Sequence, residues 1–238
     1  MRSDQLVLER QRSLRDPNPI EGYHSQVRLD VVPFVPRTGG TLVDLGGGEG
    51  ATAAHLKSIG LVDRVGVVDR VGGPAHPDVD FQCTGDIEDE TFLAGALHAQ
   101  GPFDTVLALD ILEHLVDPWR VVAQLHQTLV PGGHLIASIP NVRHFRVSGG
   151  LFFKNHWTLA DAGILDRTHL RFFVKETAVE LLTHSGLVLE EVAAPELERH
   201  RRERELFNKV TFGKLSSFVD TRYVIRVRRD DGAIRSAG

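Results

Sequence analysis

Cysteine is nearly missing from this chain. Of 238 residues only Cys83 carries a thiol, which excludes an internal disulfide and fits a reducing compartment. No apolar run approaches the length of a membrane span, and the opening stretch MRSDQLVLERQRSLRD lacks the apolar core of a secretion signal. The expectation from both is a cytoplasmic protein with no membrane span. Excess positive charge is also lacking. The 27 Lys and Arg against 32 Asp and Glu leave a formal net charge of -5, which argues against a general nucleic-acid binder. Histidine is plentiful at twelve, but without compact ligand spacing such as HExxH, so most read as surface or packing residues and no metal is assigned. Internal repeats are not visible.

What is present is an ordinary globular composition, 42% apolar and 25% charged, long enough for one well-buried α/β domain with a small appendage. Residues 1–38 read as a helical lead-in or lid. QLVLERQRSL is weakly amphipathic, DPNPI interrupts it, and YHSQVRLDVVPFV predicts a second helix ending near Pro36. Over 39–238 strands and helices alternate. TLVDL runs into glycines, ATAAHLKSIG is a helix closed by Gly60, and RVGVVD is a buried strand ending in Asp69. VDFQCTGDIED and PFDTVLALDILEHL contain the next two strands. A helix over 119–129 presents Val121, Val122, Leu125 and Leu129 and is stopped by PGG, and HLIASIPN is a fifth strand. KETAVELLTHSG is a further helix, with LVLEEVAAP and TRYVIRVRR as the last strands. Between those strands LERHRRERELFNKV predicts a charged helix, its outer face solvated or meeting a second copy in a homodimer. Such alternation predicts a mostly parallel sheet with helices on both faces.

Gly46, Gly47, Gly48 and Gly50 fall where the first strand turns into a helix, allowing a tight turn and close approach of a ligand to backbone. The run is neither the full GxGxxG fingerprint nor the GxxxxGK[ST] phosphate loop. Asp44 and Glu49 make its surroundings acidic, which disfavours a pyrophosphate and suits a cofactor carrying positive charge. Asp69 closes the second strand, about 20 residues on, where a carboxylate can accept from both ribose hydroxyls. Asp86 ends the third, where it can accept from an exocyclic amine, with Ile87 as apolar cover for the ring. All lie at carboxyl ends of strands, where open α/β sheets bind ligands.

In this order and spacing, the residues resemble a class I S-adenosylmethionine-dependent methyltransferase of the small-molecule branch. The likeness covers roughly residues 40–140 and rests on LVDLGGGEG, Asp69, Asp86, FDTVLALDILEHLVDP and LVPGGHLIASIPN. Gly47 departs from it, since Cys is frequent there in the family. The resemblance implies a Rossmann-like, doubly wound, mostly parallel seven-stranded sheet with the last strand antiparallel. It implies S-adenosylmethionine as cofactor and S-adenosylhomocysteine as product. The methionine end would lie near Asp44, Gly46 and Gly48, with Asp110, Leu112 and His114 flanking the reacting face.

Residues 141–172 read as an insertion. PNVRHFRVSGGLFFKNHW is aromatic, basic and glycine-hinged, like a substrate loop, or else a surface-packing excursion. Arg143, His144, Phe153, His156 and Trp157 are candidate substrate contacts, together with Tyr23 from the lead-in. IPNVRH followed by GILDRTHLRFF resembles a bacterial subgroup acting in polysaccharide, sugar and natural-product biosynthesis. Within that likeness Asp166, Arg167, Thr168 and His169 form a polar cluster, and Arg167 and Arg171 are further acceptor contacts, Arg171 suiting an anionic group. His169 backed by Asp166 is a candidate general base; His144 and His156 compete, and Asp166 could equally pair with Arg167 or Arg171. The activity expected is methyl transfer to a hydroxyl of a small polar acceptor such as a sugar, glycosylated metabolite or activated sugar. Methylation of nitrogen or of a phenol or quinone oxygen is the alternative, and a non-catalytic cofactor-binding protein a further one.

Overall fold

The computed structural model describes residues 26–37, 39–70, 72–195, 209 and 215–230. Tyr23, the first predicted helix and nearly all of the charged segment 197–210 lie outside the described residues.

The first strand, β1 (Thr41–Leu45), shows why this sequence makes a central parallel strand. Leu42, Val43 and Leu45 are fully buried and even Asp44 is only 2% exposed, so both faces are covered. The chain continues through α1 (Ala51–Ser58), β2 (Arg64–Asp69), β3 (Phe81–Thr84), α2 (Glu90–Gln100) and β4 (Phe103–Leu109). Then come α3 (Pro118–Thr128), β5 (Leu129–Pro140), α4 (Phe145–Lys154), α5 (Lys175–Thr183), β6 (Val188–Ala193) and β7 (Arg222–Arg228). The helix starts follow local chemistry. The Asp89 carboxylate accepts the N–H groups of Thr91 and Phe92 at the head of α2. Asp117 accepts that of Arg120 at the head of α3, where Pro118 occupies the first turn.

Among the described residues the strands form one seven-stranded sheet in the order β3-β2-β1-β4-β5-β7-β6. Pairings from β3 through β5 are parallel, and β7 runs antiparallel to both β5 and β6. The expected Rossmann-like architecture with an antiparallel last strand is therefore observed. The order reverses between β1 and β4, which opens a crevice at their carboxyl ends.

Two expected elements differ. The predicted PGG stop lies inside β5: Leu129 pairs with Phe103, the register then shifts, and Gly132 takes a φ of +78°. The glycines thus form an irregularity in a longer strand, whose first residue Leu129 is buried beside Phe103. The described part of the second lead-in helix is a 3-10 turn over Leu29–Phe34 with Pro33 inside it. Its Val31 and Phe34 pack with Leu42 and Leu56, so this segment belongs to the core of the domain.

Candidate active site

At the switch between β1 and β4 lies a cavity of about 160 Å³. It is lined by the loop 46–48, Asp44, Asp110, Arg28 and Arg222. Gly46 has φ +74°, and a Cβ there would stand 2.8 Å from Cγ1 of Ile111, so no other residue fits without displacing that side chain. A Cβ on Gly47 would meet the Asp44 carboxyl carbon at 2.6 Å. The departure from Cys at this position therefore goes with the way the Asp44 carboxylate is seated.

Asp44 is the electrostatic oddity of this cavity. Its Oδ1 is buried and has no hydrogen-bond partner among the described residues. Burial and the nearby charge of Asp69 push its pKa up to about 7, against the pull of Arg28. Asp69, 8% exposed, accepts the Gly48 N–H on Oδ2 at 2.8 Å and so ties the glycine loop to the end of β2. Asp86 is exposed just beyond β3 and holds a turn by accepting the Glu88 N–H at 2.9 Å. Its neighbour Ile87 is buried in the main core cluster.

Asp110 sits at φ +53°, beyond β4. Its Oδ2 accepts Nη1 of Arg28 at 2.5 Å and Nη1 of Arg222 at 2.7 Å, and its Oδ1 accepts the Ser138 hydroxyl at 2.8 Å. Sequence reasoning found the acid but missed both arginines. The signal was faint, a single Arg inside each of the apolar runs VRLDVV and TRYVI. Leu112, expected on the reacting face, is corrected: it is fully buried within the main core, because the 3-10 turn Leu112–His114 points it inward.

That same turn carries a second group of polar side chains. Glu113 is 1% exposed, and neither carboxylate oxygen has a hydrogen-bond partner among the described residues. Burial, reinforced by Asp110, raises its pKa well above the usual carboxylate range. Its Oε1 lies 3.9 Å from Nε2 of His169. The backbone carbonyl of Glu113 accepts the N–H groups of Leu170 and Arg171, at 2.9 and 3.0 Å, which pins the GILDRTHLRFF segment to the turn. The His114 and His169 rings meet edge to face at 4.7 Å. Burial holds both imidazoles below their ordinary pKa, His114 being lowered further by His169.

The expected Asp166–His169 pair is not the hydrogen bond that forms. Nδ1 of His169 faces the Ile164 carbonyl at 3.1 Å. Asp166 instead accepts both the N–H and the hydroxyl of Thr168, at 2.8 and 2.7 Å, and Thr168 Oγ1 lies 3.0 Å from Nδ1 of His114. Asp166 therefore acts on His114, through Thr168. It also leaves the two arginines alone: Arg167 pairs with Asp161 at 2.5 Å, and Arg171 donates to the Val116 carbonyl at 2.5 Å.

Other candidates are dispersed. His144 is buried and caps α4, its Nδ1 accepting the Arg146 N–H at 3.3 Å, which commits that nitrogen to structure. Arg143 lays its guanidinium over the Phe218 ring at 4.6 Å. Phe153 is 81% exposed on α4, stacked edge-on with Phe152, and His156 is exposed beyond the helix. Trp157 is brought in: it packs edge-on against Phe172 at 5.2 Å, and Phe172 lies 6.3 Å from His169.

Comparison with known proteins bears on the family and the fold. The methyltransferase domain family matches residues 22–192. The chain belongs to that family, and its fold is that of a class I S-adenosylmethionine-dependent methyltransferase. It is 28% identical over 202 residues to a ubiquinone biosynthesis O-methyltransferase of Xylella fastidiosa, spanning 80% of this chain and 78% of the relative. To the 27-O-demethylrifamycin SV methyltransferase of Amycolatopsis mediterranei it is 32% identical, over 42% of this chain and 38% of that one. Among solved structures it superposes on an S-adenosylmethionine-dependent methyltransferase from Mesorhizobium loti with a TM-score of 0.54, at 18% identity over 85% of this chain and 99% of the other. It also matches the 1,6-didemethyltoxoflavin-N1-methyltransferase of Burkholderia thailandensis, solved with S-adenosylhomocysteine, at TM-score 0.57 and 14% identity over 97% and 92% of the two chains. Among the described residues no helix is long and apolar enough to cross a membrane.

Proposed function

We propose that this methyltransferase acts on a hydroxyl oxygen of a small acceptor. The observation that carries the reading is the closeness of two sites along one short stretch: the cavity lined by Asp110, and the buried Glu113–His114–His169 cluster that begins three residues later. S-adenosylmethionine fits the first site. The glycine wall admits a close-lying ligand, and Oδ1 of Asp44, without a hydrogen-bond partner among the described residues, would take the cofactor's ammonium group. Asp69 and Asp86 would meet the ribose and adenine amine. When bound, the cofactor supplies an electrophilic methyl group on a sulfonium.

The second site supplies what an oxygen nucleophile needs. A hydroxyl must be oriented toward the methyl group and must lose its proton. Two imidazoles kept neutral by burial can hold such a hydroxyl, and His169 beside Glu113 is the group we assign to its deprotonation. Two of the relatives bear names of O-methyl transfer or acceptor methylation, which supports oxygen. A sugar-like acceptor suits the polar cluster. A phenolic or quinol ring is the second reading, favoured by the edge-to-face run Trp157–Phe172–His169, which offers an aromatic wall beside the imidazoles. Turnover with a panel of hydroxylated sugars and phenols, read as S-adenosylhomocysteine formed, tests the proposal. Product methylated only on nitrogen would overturn it.

A further inference from the structure

We propose that Glu113, His114 and His169 form a site for a divalent transition ion of the zinc type. Each offers one ligand atom, and these atoms lie within 4.8 Å of one another. Two imidazoles with one carboxylate match the donor set of open zinc and iron sites, whereas magnesium prefers all-oxygen shells. Around an ion with bonds of about 2.1 Å, tetrahedral ligands stand roughly 3.4 Å apart. The 3.9 Å between Glu113 Oε1 and His169 Nε2 needs only a small closure to reach that spacing.

Two further observations point to a ligand. Glu113 is 1% exposed and neither oxygen has a hydrogen-bond partner among the described residues, an arrangement that costs free energy unless a positive group completes it. Each imidazole is also held in one tautomer. The Thr168 hydroxyl gives its proton to Asp166, so its oxygen can only accept from His114, which places the proton of His114 on Nδ1. The carbonyl of Ile164 likewise takes the Nδ1 proton of His169. Both rings thus turn an Nε2 lone pair away from these partners, as metal-bound histidines do when their other nitrogen donates to an oxygen. Linear order hides this site, because His114 and His169 lie 55 positions apart. With an ion on Nε2, His169 would no longer be free to take the acceptor's proton, so ion and proton are alternative occupants of that nitrogen. The proton-accepting use rests on the proposed methyl transfer, while ion binding does not.

The test is a titration of chelator-treated full-length protein with ZnCl2 in competition with a chromophoric chelator. One tight equivalent per chain is expected. Glu113→Gln and His169→Gln should weaken it by about 100-fold or more, and Thr168→Val, which releases the His114 tautomer, by about 10-fold. No stoichiometric uptake by the wild-type protein, or full affinity in both ligand variants, overturns the proposal. Should a variant fail to fold, Co2+ in the wild-type chain reads the same site. Intense visible bands displaced by one equivalent of Zn2+ support it, and the spectrum of the hydrated ion refutes it. S-adenosylhomocysteine binding, measured separately by calorimetry, reports on the cofactor reading alone.

Discussion

From Thr41 to Asp86 the polar groups of interest stand at strand ends, each within a few residues of the apolar run that positions it. Asp44 lies in β1, Asp69 ends β2 and Asp86 follows β3, three neighbouring strands held in parallel register. From Asn141 to Phe173 the polar groups ride on a short helix and on turns, and their partners lie far away along the chain. Thr168 meets His114 and His169 approaches Glu113, on the turn that follows β4. The first region is positioned by a backbone ladder, the second by side chains and a few carbonyl contacts. A ladder tolerates little variation in its ends, whereas loops on a rigid sheet can be rebuilt around different acceptors.

That contrast can be broken or sharpened by experiment. The largest effect is expected at His169: His169→Ala should lower kcat by about 100-fold or more while S-adenosylhomocysteine affinity changes less than about twofold. Loss of both together, in calorimetry and turnover, would show that the two regions are not separable. Next, Asp69→Ala should weaken S-adenosylhomocysteine binding by roughly 30-fold or more, since it removes a charged acceptor and the tether to Gly48. Unchanged affinity would remove Asp69 from the ribose site.

Asp44 gives a smaller but signed effect. Its carboxyl is raised to about 7 in the free protein, so the folded state binds a proton that the unfolded state has lost above pH ~4. Its contribution to stability therefore falls as pH rises from about 4 through 7. A bound ammonium group would restore the carboxylate, so cofactor-product binding near pH 6 should release up to one proton. Calorimetry in buffers of different ionisation enthalpy measures this, and Asp44→Asn should abolish it. The smallest effect is predicted for Phe153→Ser on the exposed face of α4, within about 0.5 kcal/mol in chemical denaturation. A marked loss there would mean that α4 is packed in solution.

The glycine loop, the three strand-end acids and the sheet class were legible in the linear order of residues. Each depends on a local rule: an apolar run sets the strand, a glycine follows, and an acid ends the next strand. Tertiary structure alone decided how Asp110, Glu113 and Asp166 are used. Arg28 and Arg222 reach Asp110 across 82 and 112 residues, contacts that exist because β1, β4, β5 and β7 lie in an order the chain does not follow. The Asp166–His169 pairing looked natural from three residues' spacing, yet the turn at Thr168 hands that carboxylate to His114. Spacing along a chain determines which face of a strand or helix a residue joins. Which distant side chain it meets there is set by strand order and by the hydrogen bonds of the turns, and these carry no period that a sequence can display.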